Sequence, residues 1–205
     1  MRYYPAFLDL KGRKCVVVGG GKVAGRKVSS LLKAGAKVTV ISPALSPALS
    51  RLEARGLITH IRGRCTPARL KGATLVFSAT DQAAENGKVA SCARRMNIPV
   101  NAADLPELCS FIVPSVLDRD PLLIAVSTSG ASPAMSRAIR LELEKFYGRG
   151  FADYLKGLSR VRRKALGELP PAARRKFFKS LASDDIIRAV RAGKIKSPLE
   201  LIGRS

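Results

Sequence analysis

With 205 residues and 46% hydrophobic content, the chain has enough apolar material for one large domain or two small ones, which excludes disorder as its overall state. Its formal charge of +22 calls for a polyanionic partner, either nucleic acid or a polyanionic small molecule, or reflects a solvated basic surface. No apolar run approaches the roughly 20 residues that span a bilayer, and no signal-peptide core follows Met1-Arg2-Tyr3-Tyr4-Pro5, so no membrane partner and a cytoplasmic location are expected.

The charge is not a basic tail. Residues 151–205 carry 14 Lys/Arg against 5 Asp/Glu, and residues 1–150 carry 23 against 10. The four cysteines, Cys15, Cys65, Cys92 and Cys109, form no C-x-x-C pair, and His60 is the only histidine. They read as reduced, small hydrophobes, and no structural metal is expected.

In chain order, Tyr4 to Lys11 reads as a short arm that Gly12 turns into the first strand. Val16-Val17-Val18 is a continuous apolar run, the mark of a parallel strand buried on both faces. It enters Gly19-Gly20-Gly21, and Lys22, Val23 and Ala24 open a helix with Val28, Leu31 and Leu32 at helical spacing. In this G-x-G-x-x-A pattern Gly19 permits the tight turn, Gly21 lets a phosphate approach the backbone, and Ala24 keeps helix and strand close. A helix starting near Lys22 would aim free N–H groups and its dipole at a diphosphate.

Lys37–Ile41 is a second strand, broken by Ser42-Pro43. Leu45 to Gly56 is a helix, Leu57–Ile61 a third strand, and Thr66–Leu70 a helical turn. His60 reads as a half-exposed strand residue rather than a catalyst. Thr74–Ala79 is a fourth buried strand, ending in Thr80-Asp81, where Asp81 is expected as a helix N-cap. A helix over Glu85–Met96 and a short strand, Ile98–Asn101, complete an alternation that predicts an α/β fold: a Rossmann-type doubly wound parallel sheet.

Beyond it the rhythm changes. Ser110–Val113 and Leu122–Val126 are strand-like, with Asp118 and Asp120 flanking Arg119 in a turn. Ser127-Thr128-Ser129-Gly130-Ala131 is a loop of small residues, and Ser132-Pro133 starts a helix through Tyr147 with Ile139, Leu143 and Phe146 on one side. Residues 151–205 read as basic helices.

Ligands of open parallel sheets bind outside the carboxyl ends of the strands. The readable strand ends are Gly19–Gly21, Ser42-Pro43-Ala44, Ala79-Thr80-Asp81 and Asn101–Asp104. Asp104 would lie near the nicotinamide end of a dinucleotide and could act as a general base, and position alone leaves this equal to a turn residue before Leu105-Pro106. The second strand lacks the acid that often holds the ribose 2′-OH. Ser42 could still bond a ribose, and the choice between NAD and NADP stays open there.

The glycine loop Gly19–Lys27, together with Ala79-Thr80-Asp81 and Asn86, Asn101–Asp104, Ser110–Ser115 and Ser127–Pro133, resembles the siroheme-synthase N-terminal family, precorrin-2 dehydrogenases that in some members double as sirohydrochlorin ferrochelatases. The resemblance spans about residues 2–147 and covers the basic C-terminal segment more loosely. It implies NAD as cofactor, precorrin-2 as substrate, sirohydrochlorin as product, Asp104 as the base, Ser110 and Ser127, Thr128, Ser129 and Gly130 at the substrate, and ferrous ion where iron is inserted. It also implies a homodimer, with residues 1–112 as the NAD-binding domain, 113–148 as a small α+β dimerisation region and 149–205 as a helical domain. The substrate's eight carboxylates would give the positive charge a purpose.

Three other readings compete. A short-chain dehydrogenase needs Tyr-x-x-x-Lys, but Tyr147 and Tyr154 are followed at that spacing by Phe151 and Leu158. A dinucleotide-sensing module would share the glycine loop without needing Asp104 or the serine-rich loop. A nucleic-acid binder would explain the charge but not the glycine fingerprint.

Overall fold

The structure, a computed structural model, describes residues 2–202. The chain divides into two compact units, residues 1–112 and 113–205.

The first unit is built on five parallel strands, β1 (Lys14–Val18), β2 (Lys37–Ser42), β3 (Ile58–Arg62), β4 (Leu75–Ser78) and β5 (Val100–Ala102), in the spatial order β3-β2-β1-β4-β5. Helices α1 (Lys22–Lys33), α2 (Pro47–Ala54), α3 (Pro67–Leu70) and α4 (Ala83–Arg95) connect them. Strand side chains alternate between faces. Val17, Val38, Val40 and Phe77 therefore pack with Val28 and Leu31 of α1 and Leu49 of α2. Val16, Val18, Ile41 and Val76 pack on the other face with Leu70 of α3 and Val89 and Ala93 of α4. Burial on both faces is why the central strands β1, β2 and β4 are rich in apolar, β-branched residues, with Val16–Val18 an unbroken run.

The winding reverses between β1 and β4, so a crevice opens at the carboxyl ends of these two neighbours. The register pairs Val18 with Ile41 and Ser78, and Ser78 with Ala102. Gly19, Ala79 and Ala103 consequently emerge side by side along one rim of the sheet.

Asp81 is not the N-cap of α4: the helix starts one residue later than that requires, from Gln82, and no side chain caps it. Ser110–Val113 is not a strand. Ser110 N donates to Val100 O at 2.9 Å, but the segment answers the β5 edge mainly with side chains, and Pro114 has no N–H to continue a ladder.

In the second unit the strand lies later. β6 (Ser115–Arg119) pairs antiparallel with β7 (Leu122–Val126). Asp118 and Arg119, expected in a turn, are thus strand residues. Helices α5 (Pro133–Phe146), α6 (Arg149–Glu168), α7 (Pro171–Ser180), α8 (Asp184–Arg191) and α9 (Leu199–Ile202) follow. Ser132 caps α5, its Oγ accepting from Met135 N at 3.1 Å, with Pro133 in the first turn as the sequence predicts. On α5, Ile139 and Phe146 are exposed and Leu143 is half-buried. Among the later helices, Tyr154 OH donates to Leu181 O at 2.9 Å, and Val161, Ala165, Leu181 and Val190 are buried. Among the described residues no helix is long and apolar enough to cross a membrane.

Candidate functional site

The glycine triplet divides its labour. A Cβ on Gly19, whose φ is +124°, would fall on the Ala79 carbonyl, and one on Gly20 would fall on the Ala44 carbonyl. These two glycines let β1 turn between its neighbouring strand ends, and Gly20 O also accepts from Ser46 N at 2.8 Å. Gly21 differs: it is the N-cap of α1, and nothing lies within 4 Å of where its Cβ would be. No side chain caps this helix, and its first backbone bond runs from Gly25 N to Gly21 O at 3.0 Å. The N–H groups before Gly25 are the free donors of a helix N-terminus, with the positive end of the dipole behind them. Lys22 and Val23 are exposed beside them, and Ala24 is buried against the sheet. An open, uncapped helix end over a residue without a side chain fits a diphosphate.

Next to it, a cavity of about 180 Å³ runs across the carboxyl ends of β1, β2, β3 and β4. Gly19, Ser42, Pro43, Thr80 and Asp81, all expected at the cofactor, line it together. So do Gly63, Arg64, Cys65, Gln82 and Glu85, none of which was expected at the cofactor. The signal for the first three was the end of the third strand, a carboxyl end like the others.

Ser42 and Ser110 commit their hydroxyls to the protein. Ser42 is 2% exposed; its Oγ donates to Ala44 O at 2.8 Å and lies 3.2 Å from His60 Nε2. His60 is held in turn by Ser42 O at 3.0 Å and faces Glu53 at 3.5 Å. Pro43 and Ala44 are the exposed residues at this strand end. Ser110 Oγ accepts from Val100 N at 2.7 Å and donates to Val100 O at 3.2 Å.

Beyond β4, the turn after β5 carries Asp104. Its side chain is exposed and its φ is +60°, the left-handed region that L-residues avoid and Asp tolerates better than most. Asn101, just before it, donates through Nδ2 to Phe111 O at 3.0 Å, and Phe111 meets Phe77 edge-on at 5.4 Å. Lys27 of α1 sits 5.3 Å from the centroid of that Phe77 ring. Burial, and secondarily neighbouring Arg26, push its ammonium below its ordinary pKa.

The serine-rich loop lies in the second unit. Thr128 Oγ1 accepts from Ser132 N at 3.0 Å and bonds Ser136 Oγ at 3.1 Å. Ser127 Oγ accepts from Ser129 N at 3.0 Å. Ser129 and Gly130 are successive left-handed residues, with φ of +55° and +94°, and both are exposed. A larger, mainly apolar cavity of about 360 Å³ also lies in this unit, among α6, α7 and α9, but no strand end or glycine turn reaches it. Among the described residues no group of three or more His, Cys, Asp and Glu could hold a metal ion.

Residues 6–115 match the model of a putative NAD(P)-binding family, and residues 119–145 match that of the sirohaem biosynthesis protein central segment. The chain is 51% identical over 153 residues to a siroheme synthase of Methylobacillus flagellatus, covering 73% of this chain and 33% of that one. It is 39% identical over 206 residues to a siroheme synthase of Thioalkalivibrio sulfidiphilus, covering 100% of this chain and 42% of that one. The chain thus spans between a third and a half of these two relatives' lengths. Among solved structures, one titled SirC, precorrin-2 dehydrogenase, superposes with a TM-score of 0.78 at 26% identity, covering 99% of this chain and 100% of the other.

Proposed function

The chain belongs to the siroheme-synthase N-terminal family, and from that membership we propose that it oxidises precorrin-2 to sirohydrochlorin with NAD. The observation that carries the reading is the order of features along the rim of the sheet: an uncapped helix end over Gly21 after β1, and the Asp104 carboxylate on the turn after β5. Bound NAD supplies the hydride acceptor. The free N–H groups of α1 hold its diphosphate, and the cavity lined by Pro43, Arg64 and Thr80 takes the adenosine end. Asp104 takes the proton that leaves as the hydride departs, so two electrons and two hydrogens exit the macrocycle, one as hydride and one as a proton.

The polycarboxylate substrate is drawn by the basic surface, and the exposed Ser127, Ser129 and Gly130 contribute contacts to it. We assign residues 113–148 to a homodimer contact, supported by exposed Val116, Leu123, Met135, Ile139 and Phe146 within one stretch. Residues 149–205 are the basic helical domain, and the protein is assigned to the cytoplasm with its pathway.

An anaerobic assay of precorrin-2 with NAD tests the reading: NADH and the sirohydrochlorin spectrum should grow together. No NADH in a folded, NAD-binding protein overturns it. Ferrous ion added afterwards reports, in the same cuvette, whether the chain also completes the metal insertion that a siroheme synthase needs.

A further inference from the structure

We propose that Cys109 is a positioning residue: its thiol clamps the turn that presents Asp104. The inference rests on the assignment of Asp104 as the base. Cys109 Sγ accepts from Ala102 N at 3.2 Å and lies 3.3 Å from Ala102 O and 3.4 Å from Leu105 O. Asn101 Nδ2 approaches the same sulfur at 3.6 Å. One sulfur therefore gathers backbone groups from both sides of Asp104, Ala102 before it and Leu105 after it, and its single S–H proton serves the two carbonyls in turn.

The segment between these anchors has to hold Asp104 at φ +60°. A non-glycine residue persists in that region only when its surroundings over-determine it. Asp104 has no hydrogen bond of its own among the side-chain bonds of the described residues, so nothing at the carboxylate fixes the turn. The clamp does so from behind, through Cys109, while Ser110 holds Val100 and Asn101 holds Phe111. If the clamp is released, Asp104 can relax to negative φ, which swings its carboxylate away from the line of the reacting bond. Misplacement of about 1 Å can cost some 10²-fold in rate.

Most of the thiol's neighbours are backbone groups of the turn itself. The clamp should therefore act on the orientation of Asp104 and leave the dinucleotide cradle at Gly19–Ala24 untouched.

The test compares Cys109→Ala and Cys109→Val, which remove the donor and acceptor at two sizes, with Cys109→Ser, which keeps both. Asp104→Asn and the double variant Asp104→Asn/Cys109→Ala complete the set. Calorimetry with NAD and thermal melts establish that each variant is folded.

The apolar variants should lose about 10-fold or more in kcat, with KM for precorrin-2 and Kd for NAD within about threefold of wild type. Cys109→Ser should stay within about threefold of wild-type kcat, and adding Cys109→Ala to Asp104→Asn should cost no more than about a further twofold. If one apolar variant does not fold, the other carries the comparison. A folded apolar variant with wild-type kcat overturns the proposal, as does an equal loss in the Asp104→Asn background, which marks a general structural defect. If Asp104→Asn itself turns over normally, the base assignment fails and takes this inference with it. Loss in Asp104→Asn without loss in the apolar Cys109 variants rejects the clamp alone.

Discussion

Asn86 and Thr80 are joined through both ends of one amide: Asn86 Oδ1 accepts from Thr80 N at 3.0 Å, and its Nδ2 donates to Thr80 O at 3.1 Å. Ser78 Oγ donates to the same Oδ1 at 2.8 Å, and Asn86 is 2% exposed. An α4 side chain thus copies a backbone partner for the loop that leaves β4 and lines the cavity at the carboxyl ends of β1–β4. Asn86→Ala would leave the buried Ser78 hydroxyl and both Thr80 backbone groups unpaired, at a cost of about 2–4 kcal/mol. The expected outcome is a melting temperature lower by roughly 5–10 °C, with weaker NAD binding by calorimetry.

The glycines should separate folding from binding. Gly20→Ala drives a methyl into the Ala44 carbonyl, so the variant should be unstable or insoluble. Gly21→Asp meets no protein atom but puts a negative charge at the uncapped helix end proposed to hold the diphosphate. It should melt within a few degrees of wild type and lose about 100-fold or more in NAD affinity. Unchanged affinity in a folded Gly21→Asp protein would remove the phosphate site from this loop.

Asp104→Asn keeps size and much of the hydrogen bonding but cannot take a proton at neutral pH. It should bind NAD like wild type and oxidise precorrin-2 about 10²–10⁴ times more slowly. A turn residue without chemical duty would show a modest stability loss and near-normal kcat.

Alkaline pH acts on stability with opposite signs through half-buried Cys65 and Lys27, and buried Cys15 and Tyr154, both raised by burial, act with the sign of Cys65. Burial, with Cys92 and Glu85 nearby, pushes Cys65 from its ordinary value of 9.0 up to about 11. The unfolded thiol then ionises first, the folded state holds the extra proton, and stability falls as pH rises from about 9 towards 11. Lys27 is depressed by burial, so the unfolded state holds the extra proton and stability rises as Lys27 loses its own. Urea titrations at pH 8, 9 and 10 should show a smaller alkaline loss in Cys65→Ala and a larger one in Lys27→Met. Identical slopes in all three proteins would contradict this assignment.

Salt should divide the ligands. Exposed charges are screened within about 8–10 Å at physiological ionic strength, and a polyanion feels this more than a dinucleotide. KM for precorrin-2 should climb with added salt while Kd for NAD moves little. Equal sensitivity would sever the link between the +22 charge and the substrate.

The five-stranded sheet was legible chiefly through its three central strands, which are buried on both faces: Val16–Val18, Lys37–Ile41 and Thr74–Ala79 each lie within a residue or two of an observed strand. Burial leaves a compositional trace. Hydrogen bonds made by single side chains do not. Nothing in the spacing of Ser42 or Ser110 shows that their hydroxyls serve the chain's own backbone, nor that Asn86 replaces Asp81 as the organiser of the loop after β4. β7 was placed correctly at Leu122–Val126, but β6 was misplaced because it ends in Asp118 and Arg119, which carry charge on a half-exposed strand and read as a turn. Arg64 was missed because the third strand's end was not counted among the ligand-facing ends, although topology makes it one.

β5 forms one border of the sheet, and borders of sheets invite other chains to add on. Here Ser110 and Cys109 occupy the outward N–H and C=O groups of Val100 and Ala102, so the border is sealed by a hydroxyl and a thiol in place of a sixth strand. A seal made of side chains is cheaper to break than a ladder. Capping the Cys109 sulfur with a bulky thiol reagent would prise it open and leave a bare template, so in an ageing preparation self-association and thiol chemistry should advance together, and a reductant should slow both.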